Sequence, residues 1–285
     1  MITIYKNFME NSLLISAHTT AFAVIGAPIA HSLSPLMHNA ALRSAGIDAV
    51  YLAFAVTDLA GALAGVRALS IRGLSVTIPH KEAVMAHLDV LDPLAERIGA
   101  VNTIDNRDGR LAGYNTDAAG ALAALSGVVD IAGVDVAVLG AGGAARAIGF
   151  AVREAGGRVT ILNRSREKGE RLAEDIGAAF RPLAEFRGRR RGVVINTTSV
   201  GMHPHADEIP VPEKELAEGM VVMDIVYNPL RTRLLASAES RGCRTIDGLA
   251  MFVRQGVAQF ELWTGEKAPV DLMARTVRVA LEERS

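Results

Sequence analysis

The chain has 285 residues, half of them apolar and 5% aromatic, with a formal net charge of −1 and one cysteine, Cys243. A near-neutral balance argues against a dedicated nucleic-acid or membrane-surface protein. A lone cysteine excludes an internal disulfide framework and fits a reducing cytoplasmic setting. No window reaches the roughly 18 uninterrupted apolar residues of a membrane helix, and residues 1–20 lack a signal-peptide pattern and are expected to form an N-terminal extension.

From residue 21 short apolar runs alternate with helical patterns. A strand is expected over 21–26, then a helix over 34–46 with Ser34 as N-cap and Pro35 in its first turn. A strand (49–56), a helix (58–69) and a strand (73–79) follow. That last strand should hand over to a helix at Lys81, a poor place for a cation because a helix N-terminus is itself positive. Asp108-Gly109 between AVNTIDN and RLAGYN marks a hairpin. The alternation signals an α/β layer with a mostly parallel sheet.

A second unit begins near Val134, where VDVAVLGAGGAARAIGFAV reads as strand, glycine turn and helix. RVTILNRS, GVVINTTS and GMVVMDIVY read as further strands, and two long helical patterns close the chain. The expected architecture is α/β in two domains. The first covers 21–118 and is rejoined by 250–285; the second is a doubly wound, Rossmann-like domain over 119–249.

The turn Gly140, Ala141, Gly142, Gly143, Ala144, Ala145 has the G-x-G-x-x-A form. Following a strand and opening a helix, it has the context a dinucleotide-binding turn requires. Gly140 permits the tight turn, Gly142 lets a pyrophosphate approach the backbone, and Ala145 allows close helix–sheet packing. At the end of the next strand an NAD enzyme places Asp or Glu for the ribose hydroxyls. Here Asn163, Arg164, Ser165 and Arg166 stand instead. Cations without a carboxylate suit the extra phosphate of NADP.

Several polar groups interrupt apolar stretches near strand ends: Ser32 and Ser34, Thr77 and Lys81, Asn102, Asp117 and Gln255. Each has a plain structural account, with Ser34 and Asp117 as N-caps, Asn102 in a turn and Gln255 half buried. Together they gather hydroxyls, amides, a carboxylate and an ammonium where open α/β sheets bind ligands.

The ordered motifs GAPIAHSLSPLMHNA, SVTIPHK, GAVNT, GYNTDAAG, GAGGAARA, NRS, NTTSVGM, DIVYNPLRTRLL and DGLAMFVRQG resemble those of the shikimate dehydrogenases over residues 24–263. The resemblance implies the NADP-linked interconversion of 3-dehydroshikimate and shikimate in aromatic amino-acid biosynthesis. It implies that Ser32 and Ser34 hold the substrate carboxylate, that Thr77, Asn102, Asp117 and Gln255 bond the ring hydroxyls, and that Tyr227 lines the pocket. Ile225 and Gly248 would pass near the nicotinamide, and Arg164 would face the 2′-phosphate. Lys81 and Asp117 would share proton transfer, the lysine giving the proton to the oxygen that becomes an alkoxide.

Two positions depart from the family's pattern. Ser75 stands where Asn is usual, which either loosens the pocket or leaves space for another residue to fill, and Phe252 stands where Leu is usual. Both keep quinate or an amino analogue open as the substrate. A catalytically silent NADP-binding regulator is a third reading, disfavoured by the presence of Lys81 and Asp117. FRGRRRG over 186–192 reads as a solvated loop rather than a nucleic-acid contact. His203, His205 and Asp207 read as a surface loop, with no metal expected. His31, His38 and His80 lie close to the site motifs without a reason to be catalytic. The expected partners are small molecules, with no nucleic acid or membrane, in a monomer or homodimer.

Overall fold

The computed structural model describes residues 15–283, so most of the expected extension over 1–20 lies outside the described residues. Strands β1 (Thr20–Gly26), β2 (Ala49–Ala55) and β3 (Gly73–Val76) lie parallel with β1 between the others. β4 (Val90–Leu91), β5 (Thr103–Arg107) and β6 (Arg110–Tyr114) complete a sheet of order β2-β1-β3-β5-β6-β4. It is mostly parallel, with β5 running against both β3 and β6. The reversal comes from the expected hairpin, whose turn residues Asp108 and Gly109 both have positive φ, 53° and 83°. Such a turn matches the twist of the flanking strands.

Helix α1 (Ser34–Ser44) packs on this sheet. Its cap residue is Leu33, and the side chain that receives its first amide is Ser32, whose Oγ accepts from Ser34 N at 3.3 Å. The Ser34 hydroxyl is thereby left out of capping. Asp58 caps α2 (Leu59–Ala68) by accepting from Gly61 N, and Asp92 caps the short α3 (Pro93–Ile98). α4 (Thr116–Ser126) runs unbroken through the expected join at 118/119. Its cap is Asn115, accepting from Asp117 N and Ala118 N, so Asp117 sits in the first turn instead, where the helix dipole favours a carboxylate.

The second sheet holds β7 (Asp135–Leu139), β8 (Arg158–Asn163), β9 (Ala179–Pro182), β10 (Val193–Asn196), β11 (Val221–Asp224) and β12 (Arg244–Ile246), all parallel. Its order, β12-β11-β10-β7-β8-β9, is that of dinucleotide-binding folds, and it reverses between β7 and β10. Apolar side chains of α4, α5 (Gly143–Glu154) and α6 (Arg166–Ile176) cover one face. α7 (Arg233–Ser240) and the buried Phe186, Val211 and Leu216 cover the other. Covered on both sides, the central strands read as continuous apolar runs such as Val193–Ile195.

The two closing helices, α8 (Gly248–Thr264) and α9 (Val270–Glu282), return to the first lobe as expected. Leu249, Val253, Phe260, Trp263, Met273, Val277 and Leu281 share one core with Phe22, Val24, Leu33, Met37 and Tyr51. Trp263 Nε1 donates to Ile104 O at 3.0 Å, which ties the end of α8 to β5. α8 crosses α4 so closely that a Cβ on Gly120 would stand 2.9 Å from Gln255 N. That approach sets Gln255 beside the helix that carries Asp117.

Candidate active site

The glycine turn links β7 to α5. Gly140 has φ +114°, a conformation open to glycine, and a Cβ there would meet Thr197 Oγ1 at 2.8 Å. Gly142 caps α5, and a Cβ on it would find nothing within 4 Å, so the turn presents bare backbone to open space. Ala141, Gly143 and Ala144 complete the turn, and Ala145 is buried against the sheet. Free amides at the start of α5 make this a seat for a phosphate.

At the end of β8, Asn163 Nδ2 donates to Ser165 O at 2.9 Å, and Ser165 Oγ caps α6 by accepting from Lys168 N. Arg166 is engaged, paired to Glu170 at 2.6 Å and lying over the Phe180 ring. Arg164 is exposed and has no hydrogen-bond or ion-pair partner among the described residues. A free guanidinium with no neighbouring carboxylate on the strand end fits a phosphomonoester on the ribose.

Lys81 does not open an α-helix. Beyond β3 the chain makes a turn, and only a short 3-10 segment, Ala83–His87, follows, which removes the helix-dipole objection. Lys81 O accepts from Val101 N at 2.8 Å, fastening the turn beside Asn102. Its Nζ lies 2.5 Å from Asp117 Oδ2, with the two side chains 19% and 9% exposed. This partly buried, charge-assisted pair is held by two different elements of the first lobe. The pair also abuts the second lobe, since a Cβ on Gly143 would stand 3.9 Å from Lys81 Cδ.

A chain of buried hydrogen bonds runs from Asn102 through Gln259 to Tyr51, and its sense is fixed by groups that can only donate or only accept. Asn102 Oδ1 accepts from Thr116 N at 2.7 Å and from Thr103 Oγ1 at 2.8 Å, while its Nδ2 donates to Thr116 Oγ1. One Nδ2 proton of Asn102 remains for a ligand. Gln259 Nε2 donates to Thr103 Oγ1 at 3.0 Å, and Asn102 O lies 3.4 Å from the same nitrogen. Gln259 Oε1 therefore accepts from Ser75 Oγ at 2.9 Å, and Ser75 in turn accepts from Tyr51 Oη at 2.6 Å. Burial pushes the Tyr51 hydroxyl up from the usual phenol range, against smaller opposing bonds to Ser75 and Ser34. The space behind Ser75 is thus filled by Gln259, whose part was not read from the sequence.

His38 stacks on Tyr51 at 4.4 Å, and its Nε2 has no hydrogen-bond partner among the described residues. Burial pushes its pKa down to about 3, against a weaker upward pull from Gln259, so the ring is neutral and supports packing. His80 Nε2 lies 2.9 Å from Val56 O, a carbonyl that can only accept, so this histidine also braces the fold.

The remaining candidate residues lie on neighbouring turns and on α8. A Cβ on Gly26 would stand 2.5 Å from Thr77 Cγ2, which places Thr77 over the end of β1. Tyr227 packs on Phe252 with ring centroids 4.7 Å apart, so Phe252 is wall rather than vacancy. Gln255 Nε2 donates to Phe252 O at 2.8 Å. Gly248 nearly touches the backbone of Ile225 and Val226; a Cβ there would lie 2.6 Å from Ile225 O. The loop carrying Ile225 and Tyr227 is anchored by buried Asp224, which accepts from Asn196 Nδ2, Val226 N and Thr232 Oγ1 at 2.9, 3.0 and 2.7 Å. Burial pushes this carboxyl up to about 6 despite those three donors.

His203 and His205 lie in a turn-rich stretch bonded through their backbones, and no group of three metal-ligating side chains occurs among the described residues. Phe186 is buried, while Arg189 of the same basic stretch pairs with Asp135 at 3.0 Å. No helix among the described residues is long and apolar enough to cross a membrane.

Comparison with known proteins finds shikimate dehydrogenases similar over nearly the whole chain. The Shikimate dehydrogenase substrate binding domain matches residues 24–104, and the Shikimate 5'-dehydrogenase C-terminal domain matches residues 248–278. The shikimate dehydrogenase (NADP(+)) of Moorella thermoacetica is 50% identical over 281 residues, 94% of this chain and 95% of that protein. A crystal structure of a shikimate dehydrogenase in complex with NADP+ superposes with TM-score 0.91 at 40% identity, covering 94% of this chain and 98% of that one. The Thermus thermophilus enzyme in complex with NADP(H) and shikimate gives 0.87 at 43% identity, covering 92% and 100%. With that identity sustained over nearly the whole length, the chain belongs to the shikimate dehydrogenase family.

Proposed function

We propose that this protein catalyses the reversible NADP-linked reduction of 3-dehydroshikimate to shikimate, in the biosynthesis of aromatic amino acids in the cytoplasm. The observation that carries the reading is the Lys81–Asp117 pair at 2.5 Å, packed beside the glycine turn of the other lobe. The bound dinucleotide supplies or takes the hydride at its nicotinamide. Its fit rests on the open Gly142 backbone, the start of α5 and the unpaired Arg164.

In the reducing direction the Lys81 ammonium gives a proton to the substrate oxygen that gains negative charge, and it takes that proton back when the alcohol is oxidised. Asp117 stabilises the ammonium and accepts a hydrogen bond from a neighbouring substrate hydroxyl. The free Nδ2 proton of Asn102, with Thr77 and Gln255, holds the ring hydroxyls. Ser32 and Ser34 offer hydroxyl protons to the carboxylate, and Tyr227 lines the wall.

A paralogous activity on quinate or an amino analogue is the second reading, motivated by Ser75 and Phe252. Gln259 behind Ser75 and Tyr227 against Phe252 leave neither position hollow, which favours shikimate. A silent NADP-binding regulator has no use for a partly buried ammonium–carboxylate pair at the cofactor turn. The test is oxidation of shikimate, quinate and an aminoshikimate by purified protein with NADP and with NAD. Shikimate with NADP is expected to give the largest kcat/KM; binding of NADP without turnover on any of them would leave the regulator.

A further inference from the structure

Asp224, at the end of β11, is fully buried and has no part in the proton transfer proposed above. Its two oxygens serve different elements. Oδ1 accepts from Asn196 Nδ2 at the end of β10 and from Val226 N in the loop beyond β11. Oδ2 accepts from Thr232 Oγ1, the group that caps α7 by accepting from Leu235 N. Three segments at the carboxyl ends of the second sheet's strands thus hang from a single carboxylate.

The sense of these bonds is fixed. Asn196 Oδ1 accepts from Thr198 N and Thr198 Oγ1, and its Nδ2 also donates to Val200 O, so the amide cannot be turned round. Asn196 O accepts from Ile225 N at 3.1 Å. The next residue, Thr197, donates through Oγ1 to Leu139 O at 2.6 Å and abuts Gly140. Two loops therefore depend on Asp224: 197–200, which lies against the glycine turn, and 225–227, which carries Ile225 and Tyr227. With Oδ1 already taking two donors, a carboxyl proton has its place on Oδ2. The Thr232 proton already stands there, and one of the two has to turn away. Protonation also removes the charge that makes hydrogen bonds to a carboxylate roughly twice as strong as neutral ones.

We propose that ionised Asp224 is a positioning residue for hydride transfer, holding loops 197–200 and 225–227 in the arrangement that seats the nicotinamide, and that its neutral form loosens both. The role rests on the catalytic reading above. Asp224 is given no contact with cofactor or substrate, and the phosphates are left to the glycine turn and Arg164. Burial sets its pKa at about 6, so both forms are accessible near neutral pH. No charged side chain bonds it among the described residues. On either side of Thr232, Arg231 and Arg233 turn to Glu239 and Glu213. Arg244 on β12 is exposed and donates to Val128 O, and Asp247 caps α8. His203, His205, Asp207 and Glu208 are exposed, and Tyr227 packs on Phe252.

The test is single-turnover hydride transfer from shikimate to NADP between about pH 5 and about pH 8. It is run on the unaltered protein, Asp224→Asn and Thr232→Val, with NADP affinity measured on each. Comparing proteins at the same pH cancels the titration of Lys81, Asp117 and the cofactor's 2′-phosphate. Asp224→Asn is a neutral isostere. It is expected to be roughly ten- to a hundredfold slower than the unaltered protein at the upper end of the range. At the lower end the two are expected to converge, while NADP affinity changes little throughout. Thr232→Val removes a donor to the carboxylate and is expected to move the rise in rate to higher pH. A ratio of rates that is the same at every pH overturns the proposal, because a variant that is merely less stable loses rate uniformly. If Asp224→Asn does not fold, Thr232→Val decides, and an unmoved midpoint overturns the proposal. A flat ratio in an active enzyme removes this role alone. Unaltered protein that binds NADP yet oxidises no shikimate removes the catalytic reading and this role with it.

Discussion

Lys81 in the first lobe lies against Gly143 in the second, with its Cδ 3.9 Å from the place where a Cβ on that glycine would stand. The ammonium proposed to carry the proton and the helix start proposed to seat the phosphate are thus neighbours. In the proposed reaction each lobe supplies half of the site: an ammonium–carboxylate pair from one, an open glycine turn from the other.

Arg164 is expected to set cofactor choice. It stands free at the end of β8 where an NAD enzyme keeps a carboxylate, and Arg166 is tied to Glu170. Arg164→Ala should weaken NADP by roughly ten- to a hundredfold, the worth of a charge-assisted contact, with little change for NAD. Titration of both dinucleotides checks this; equal losses would remove the phosphate assignment.

Gly140→Ala should cost about 1–3 kcal/mol of stability, because φ +114° is strained for any residue with a Cβ and the added carbon meets Thr197. Denaturant unfolding measures it. Gly142→Ala is the contrast: its Cβ has open space, so folding should be near normal while NADP affinity falls.

Much of this cofactor half is legible in the residues alone, because a strand, a glycine turn and a helix are local signals. The polar half is less so. Lys81 and Asp117 are 36 residues apart, and only the fold brings them into contact. Gln259 lies one helical turn beyond Gln255, a spacing visible in the sequence, yet its amide has meaning only once Ser75 and Thr103 arrive from other strands. Ser34 and Asp117 both resembled caps because caps and ligand-binding groups draw on the same side chains; Ser32 and Asn115 take the capping. Helix α6 is hard to read because its buried stripe is only Gly169, Leu172, Ala173 and Ile176 amid charges.

Gln259→Leu should destabilise the protein by about 1–3 kcal/mol, since it strands the Ser75 proton and removes the donor to Thr103 in a buried setting. Tyr51→Phe, which removes only the donor at one end, should cost about 1 kcal/mol. Chemical unfolding of both variants orders them; a Tyr51 loss larger than the Gln259 loss would contradict this chain of bonds.

Asp224 should leave a mark on the pH dependence of stability. Its carboxyl is raised from 3.8 to about 6 by burial, so the native state holds its proton to higher pH than the unfolded chain does. Its contribution is therefore full below about pH 4 and is lost as the pH climbs through about 6, a swing of ~3 kcal/mol. Asp224→Asn should flatten that part of the stability curve relative to the unaltered protein. An unchanged slope would mean that Asp224 does not titrate there.

The most direct test is the single-turnover rate of shikimate oxidation by Lys81→Ala, with NADP and shikimate affinities measured on the same variant. Hydride transfer is expected to slow by about 10²–10⁴-fold while NADP binding stays near normal, as befits loss of a general acid–base group. A variant that turns over at the unaltered rate, or one that loses NADP binding in step with activity, would contradict the role given to Lys81 at the cleft.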